Sequence, residues 1–124
     1  MSHFTRIQTR LRDIAIVKEA LKDLKYAVRE NDAVRGYSRW ERVIADVVVE
    51  AEDGRDIGFR QDGDQVELVA DFWNRRLDQE AFLQRITQRY AYRMVIQKAG
   101  EQGFQVVKEE QQQDGSIRVV VQRW

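Results

Sequence analysis

No cysteine and no proline occur among the 124 residues, and histidine is present once, as His3. Without cysteine the chain forms no disulfide, offers no thiolate nucleophile and builds no Cys-based zinc or iron–sulfur site. Direct thiol redox sensing is excluded with them. One histidine leaves a His-rich metal centre without ligands, and nothing in the sequence pairs with His3 for general-base work. With proline absent, every turn falls to Gly, Asn and Asp, and no X-Pro isomerisation slows folding. Net charge is also missing, since 21 basic residues balance 21 acidic ones. Neutrality removes the long-range attraction on which a dedicated nucleic-acid binder relies, while leaving room for a local basic patch. No apolar run approaches the roughly 18 residues of a membrane span, and no signal-like segment opens the chain. With 43% hydrophobic and 34% charged residues, the chain reads as one globular, soluble domain over residues 1–124, in the cytosol or an equivalent compartment.

What is present is a set of three Asp-Gly pairs, Asp53-Gly54, Asp62-Gly63 and Asp114-Gly115, each between runs of alternating apolar and polar residues. Such pairs suit a two-residue type I′ turn, which needs φ > 0 at both central positions. They predict a meander of antiparallel strands followed by a separate C-terminal hairpin.

The rest of the chain supplies helices and further strands. Phe4 and Ile7 anchor a strand within residues 2–10. Asp13 caps a helix over 14–25 whose Ile14, Val17, Leu21 and Leu24 share a face. Residues 25–30 read as a short strand closed by an Asn31-Asp32 turn. Strong β patterns cover 42–50, 55–61 and 65–72; in the first, Val43, Ala45, Val47 and Val49 alternate against Arg42, Ile44, Asp46 and Val48. Asp78 caps a second helix with a stripe of Leu77, Phe82, Ile86, Tyr90 and Met94, ended by Gly100 and Gly103, before strands at 105–110 and 116–123. Lys25-Tyr26-Ala27-Val28-Arg29-Glu30 and Gly103-Phe104-Gln105-Val106-Val107-Lys108-Glu109 follow the two helices with one pattern, either a duplicated helix–strand unit or, the plainer reading, two helices entering one sheet by the same turn chemistry. The order β-α-β-β-β-β-α-β-β predicts an α+β two-layer sandwich: a mainly antiparallel sheet of about six strands, two helices on one face, and the other face solvated or a contact surface.

Few constellations carry chemistry. Pairing of 55–61 with 65–72 brings Asp71 opposite Asp56, near Trp73, where two carboxylates could hold a hard cation or act as an acid–base pair. The plainer reading is solvated strand charges beside Arg55 and Arg60. Trp73-Asn74-Arg75-Arg76 and Arg89-Tyr90-Ala91-Tyr92-Arg93 interleave arginine with aromatics, as single-stranded nucleic-acid clamps do; alternatively Tyr90 faces the core while Arg89 and Arg93 lie on the helix exterior. Arg35, Tyr37, Arg39, Trp40 and Arg42 form a cluster better suited to a protein partner, since arginine and aromatics are enriched at interface hot spots. Nucleophile-elbow, P-loop and dinucleotide patterns are absent.

Several stretches together resemble a known family: Ser2-His3-Phe4, Val34-Arg35-Gly36-Tyr37, Asp56-Ile57-Gly58-Phe59, Glu67-Leu68-Val69-Ala70-Asp71, Arg89-Tyr90-Ala91-Tyr92, Gly103-Phe104 and Val120-Val121-Gln122-Arg123-Trp124. They look like the hypothetical chloroplast reading frame thirty-five family, a domain of unknown function found in cyanobacteria and algal plastid genomes. The likeness spans nearly the full chain. It implies an oxygenic phototroph setting, in cyanobacterial cytoplasm or plastid stroma, and supplies no reaction and no site residues. Phe72-Trp73 stands where the family places an aromatic pair after the Ala-Asp step.

Three functional readings follow. The first is a non-enzymatic accessory or regulatory protein that works through contacts with an unidentified protein partner, with no cofactor and no metal, and with the open sheet face also able to join copies of the chain. The second is a small enzyme or a ligand- or metal-binding domain with its site near Asp56, Asp71 and Trp73. The third is RNA binding through the arginine–aromatic helix, with nucleic acid not the expected partner. Candidate binding residues are Arg35, Tyr37, Trp40, Asp56, Asp71, Trp73, Tyr92, Arg93 and Trp124. Alternation in the last strand places Ile117, Val119 and Val121 toward the helices and Val120 with Trp124 on the opposite face.

Overall fold

The computed structural model describes residues 4–36 and 40–123; the expectations attached to His3, Tyr37, Arg39 and Trp124 lie outside them. Along the chain come β1 (Phe4–Gln8), α1 (Ile14–Asp23), β2 (Val28–Arg35), β3 (Arg42–Glu50), β4 (Asp56–Asp62), β5 (Gln65–Asp71), α2 (Gln79–Glu101), β6 (Phe104–Gln111) and β7 (Ile117–Arg123). Five strands form an antiparallel sheet in the order β1-β5-β4-β3-β2, and β6 and β7 form a second antiparallel pair. The strands thus divide five and two, with the C-terminal hairpin standing apart, where about six in one sheet were expected. Both helices cover one face of the larger sheet, as the alternation implied. Val17 and Leu21 of α1 and Phe82 and Ile86 of α2 share a core with Val47, Val49, Ile57, Phe59, Val66 and Leu68. Each of these side chains is almost fully buried and contributes about 1.5–3 kcal/mol.

The Asp-Gly pairs do build hairpins, but by different turns. Gly63 has φ +63° and is the first of two loop residues between the paired Asp62 and Gln65, so that turn is type II′. The other two are three-residue loops. Ala51 N–H donates to Arg55 O and Gly54 N–H to Ala51 O, with Gly54 at φ +79°. Gln112 N–H likewise donates to Ser116 O and Gly115 N–H to Gln112 O, with Gly115 at φ +88°. The aspartates keep negative φ and act through their carboxylates, Asp53 Oδ1 accepting from Arg55 N–H (3.1 Å) and Asp114 Oδ1 from Ser116 N–H (3.0 Å). That side-chain turn displaced the type I′ conformation.

Asp13 caps α1, its Oδ1 accepting from Ala15 N–H at 2.9 Å, and Asp78 caps α2, its Oδ1 accepting from Ala81 N–H at 3.0 Å. Both helices end on a left-handed residue, Lys25 (φ +74°) and Gly103 (φ +82°), each followed by an aromatic. The turn chemistry is shared as expected, although the two following strands enter different sheets. Gly100 lies inside α2 and does not end it. The 23 residues of α2 extend for roughly 34 Å at about 1.5 Å per residue. Its first half covers the sheet through Phe82 and Ile86; its second half lies against β6 and β7, with Ile117, Val119 and Val121 turned to it. Val120 is on the outer side, paired with Lys108.

The other face of the larger sheet is not open throughout. β2 and β3 stay in one register from Val28↔Val49 to Arg35↔Arg42, yet Val28, Val47 and Val49 belong to the helix-covered core while Val34 and Ala45 join Val48 and Phe4 in a second cluster. Residues an even number apart share a face of a regular strand, so the pair reverses its faces between these points. Asn31, at φ +49° inside β2, marks the reversal. The expected Asn31-Asp32 turn is therefore a kink within one continuous strand, and the uniform alternation read for residues 42–50 holds only from Val47 onward. Beyond the kink the hairpin folds back over the sheet, Val34 and Ala45 crossing Gly58, and buries Val69 and Val48 completely.

Candidate functional site

The fold-back gathers charge at one end of this second face. Asp56 opens β4 and Asp71 closes β5, and continuing the register Gly58↔Val69 sets the two residues opposite each other. Both are buried. The carboxylate of Asp56 accepts from Arg35 three times, from the backbone N–H (2.9 Å), Nε (2.8 Å) and Nη2 (2.9 Å). Arg29 Nη2 adds an ion pair at 2.9 Å. Burial pushes the Asp56 carboxyl up, but the hydrogen bonds from Arg35 and Arg29 outweigh it and hold the pKa at about 2. Asp71 Oδ1 accepts from Trp73 N–H at 2.9 Å, with Arg55 Nη2 3.7 Å away.

Arg75 closes the junction from behind, and its side chain is 1% exposed. Nε and Nη2 grip Asp53 Oδ2 and Oδ1 at 2.5 and 3.0 Å. Nη1 donates to the carbonyls of Asp56 (3.2 Å) and Asp71 (3.3 Å), and Nη2 also to that of Arg55 (3.0 Å). Every N–H of the guanidinium has an acceptor, and it ties the start of β4 to the end of β5. Arg55 donates in turn to the carbonyls of Trp73 (2.7 Å) and Asp71 (3.1 Å).

A cavity of about 510 Å³ opens beside this network, lined by Arg35, Gly36, Arg42, Glu50, Gly54, Arg55 and Asp56. Gly36 N–H donates to Glu41 O, which sets Trp40 at the tip of the β2–β3 hairpin. Asp71 lies against Gly36 from the other side, which brings Trp73 to the same end of the sheet. Trp40 is 80% exposed and Trp73 52%.

Five of the residues singled out from the sequence, Arg35, Trp40, Asp56, Asp71 and Trp73, therefore share one end of the fold. Tyr92 and Arg93 do not. Arg93 and Arg89 both bind Asp23 of α1, the hydrogen bond from Arg93 foremost in holding the Asp23 carboxyl below its ordinary value. Arg89 also lies 4.0 Å over the Tyr92 ring, and the Tyr92 hydroxyl donates to Glu109. The Tyr90 hydroxyl oxygen accepts from the N–H groups of Arg12 (3.2 Å) and Asp13 (3.1 Å). This arginine–aromatic stretch joins α2 to α1 and to β6.

Chemically, the Asp56–Asp71 end is a closed ion-pair network. A divalent cation there would displace or adjoin four guanidinium groups, those of Arg29, Arg35, Arg55 and Arg75, and among the described residues no three His, Asp or Glu side chains converge as ligands. In the sequence Arg75 stood out only as part of the Trp73–Arg76 arginine–aromatic stretch, not as the residue that ties this junction together. Its role depends on carbonyl oxygens from two segments, 55–56 and 71, meeting at one point, which no local pattern signals. No helix among the described residues is long and apolar enough to cross a membrane.

Residues 20–120 match the family described as "Protein of unknown function (DUF1257)", and the chain belongs to that family. It is 39% identical to "Uncharacterized protein ycf35" of Guillardia theta over 100% of this chain and 98% of that protein. Proteins of the same description from Pyropia yezoensis and Cyanophora paradoxa are 35% and 33% identical, again over 100% of this chain and 98% of each relative. No solved structure matches it.

Proposed function

We propose that this member of the DUF1257 family is a non-enzymatic accessory protein of oxygenic phototrophs that docks on a protein partner through the Trp40–Trp73 end of its larger sheet. It works in cyanobacterial cytoplasm or plastid stroma. The observation that carries the reading is the pair of outward-facing tryptophans, 80% and 52% exposed, beside a cleft that presents Arg35, Arg42 and Arg55. Tryptophan and arginine are the residue types that dominate interface energetics. Holding two large apolar rings in water costs solvation free energy that a docked partner recovers. The buried ion pairs behind them make the platform rigid, so a partner meets a preformed surface and little ordering entropy is lost on binding.

The test compares the wild type with Trp40→Ala and Trp73→Ala as baits in a native extract of a phototroph, with thermal melting as the control for folding. A partner that co-purifies with the wild type and is lost from both variants, at unchanged melting temperature, is the expected result. A partner retained by both variants removes this end of the molecule from the interface. No specific co-purifying protein with any bait defeats the reading.

A further inference from the structure

Four strand edges end the two sheets, β1 and β2 in the larger and β6 and β7 in the smaller, and three of them are defended against pairing. β1 is only five residues long and carries Arg6. β2 carries Arg29, Glu30, Asp32 and Arg35 and is kinked at Asn31. β6 is interrupted by a register shift between Val106 and Lys108 and continues as Lys108-Glu109-Glu110. Shortness, charge, kinks and bulges are the devices by which native sheets keep their edges from joining other chains.

Of these β7 has only two arginines, Arg118 and Arg123, which flank its central valines. It is seven residues long and reads Ile117-Arg118-Val119-Val120-Val121-Gln122-Arg123, with no acidic residue and three consecutive valines. Its pairing with β6 runs without a break from Val120 to Ile117, and no strand neighbours its outer edge among the described residues. Val120 and Val121 are both exposed.

We propose that β7 pairs antiparallel with β7 of a second copy of this chain, about a two-fold axis through Val120, so that two hairpins merge into one four-stranded sheet. Self-pairing of an antiparallel strand is the isologous contact that a two-fold axis requires, and it closes at two copies. Centring on Val120 pairs the whole strand. Val119 meets Val121 of the other copy, Arg118 meets Gln122, and Arg123 meets Ile117, so no two arginines are opposed and valines occupy the middle. A two-fold axis perpendicular to the sheet preserves its faces. Val119 and Val121 of both copies stay turned to α2, where they line apolar hollows with Ala91, Val95 and Ala99. The two Val120 side chains cover one another on the outer side. β6 offers no such partner, because centring it on Lys108 opposes like charges across a broken ladder.

Sedimentation equilibrium of the full chain over a wide concentration range reads the proposal directly, with Val120→Glu as the discriminating variant. Glu at this position faces Lys108 within its own hairpin, which favours folding, but faces a second Glu across the two-fold axis. The expected result is a wild-type dimer whose dissociation constant rises at least about tenfold in Val120→Glu with no loss of melting temperature. A second measurement uses the absence of cysteine. Val120→Cys should form a disulfide-linked dimer under mild oxidation, whereas Val107→Cys, more exposed but on the interrupted strand, should not. A wild type that is monomeric at every concentration overturns the proposal and leaves the edge to a foreign strand. A dimer unaffected by Val120→Glu, or cross-linking no greater at position 120 than at 107, overturns it in favour of another surface.

Discussion

Val34 lies directly across Gly58, so close that a methyl group on Gly58 would stand 2.3 Å from Val34 Cγ2 and 2.8 Å from Ala45 Cβ. Here the folded-back end of the β2–β3 hairpin rests on the centre of the sheet. The absence of a side chain at position 58 is what lets two layers of backbone approach so nearly.

Gly58→Ala should therefore destabilise the protein by about 1–3 kcal/mol through overpacking, read as a lower urea midpoint. In the Gly58→Ala background, Val34→Ala should restore part of the loss, since it removes the atom that clashes. A double-mutant cycle with no coupling between the two positions would show that they are not in contact.

Asp56 should govern the acid limb of stability. Its folded pKa of about 2 lies below the ordinary 3.8, so the ionised group stabilises the fold fully above the unfolded value. That contribution drains away as pH falls from about 4 toward 2, and amounts to about 2 kcal/mol. Melting temperature measured between about pH 6 and pH 2 should fall across that window, and Asp56→Asn should flatten the fall. At neutral pH the same variant leaves Arg29 and Arg35 without their shared carboxylate, and a loss of roughly 3 kcal/mol is expected. An Asn variant with wild-type stability at neutral pH would contradict the network.

Lys25 occupies a left-handed conformation at φ +74° that costs a residue with a side chain about 1–2 kcal/mol relative to glycine. Its charge near the C-terminus of α1 returns about 0.3–1 kcal/mol through the helix dipole. The backbone effect is the larger, so Lys25→Gly should stabilise the protein by roughly 0.5–1 kcal/mol and raise the melting temperature by a few degrees. A lower melting temperature would mean that the dipole interaction wins.

The elements legible in the sequence were those set by local chemistry. The capping aspartates Asp13 and Asp78, the helical stripe of Phe82 and Ile86, and the three hairpins are all short-range signals. The pairing of the second hairpin set Asp56 opposite Asp71, and from there the Trp73 end of the sheet could be located. The turn class was missed because Asp53 and Asp114 use their carboxylates and keep ordinary backbone angles. The reversal at Asn31 was missed because an alternating pattern carries no record of a face exchange when the register is unchanged. Arg75 and Arg93 read in the sequence as parts of arginine–aromatic stretches; in the fold each is held by a carboxylate far along the chain, Asp53 and Asp23.

The tie between the two helices bears on how the protein is made. α1 has ten residues, fewer than an isolated helix needs to persist in water. Its start is held by the Tyr90 hydroxyl and its end by Arg89 and Arg93 on Asp23, partners 66 to 78 residues further along. During translation the segment leaves the ribosome well before these partners exist. Val17 and Leu21, fully buried in the finished protein, can meet their sheet partners earlier but lack their α2 neighbours Phe82 and Ile86 until that helix has emerged. The early part of the chain can begin its fold, but the contacts that fix both ends of α1 wait for the synthesis of α2.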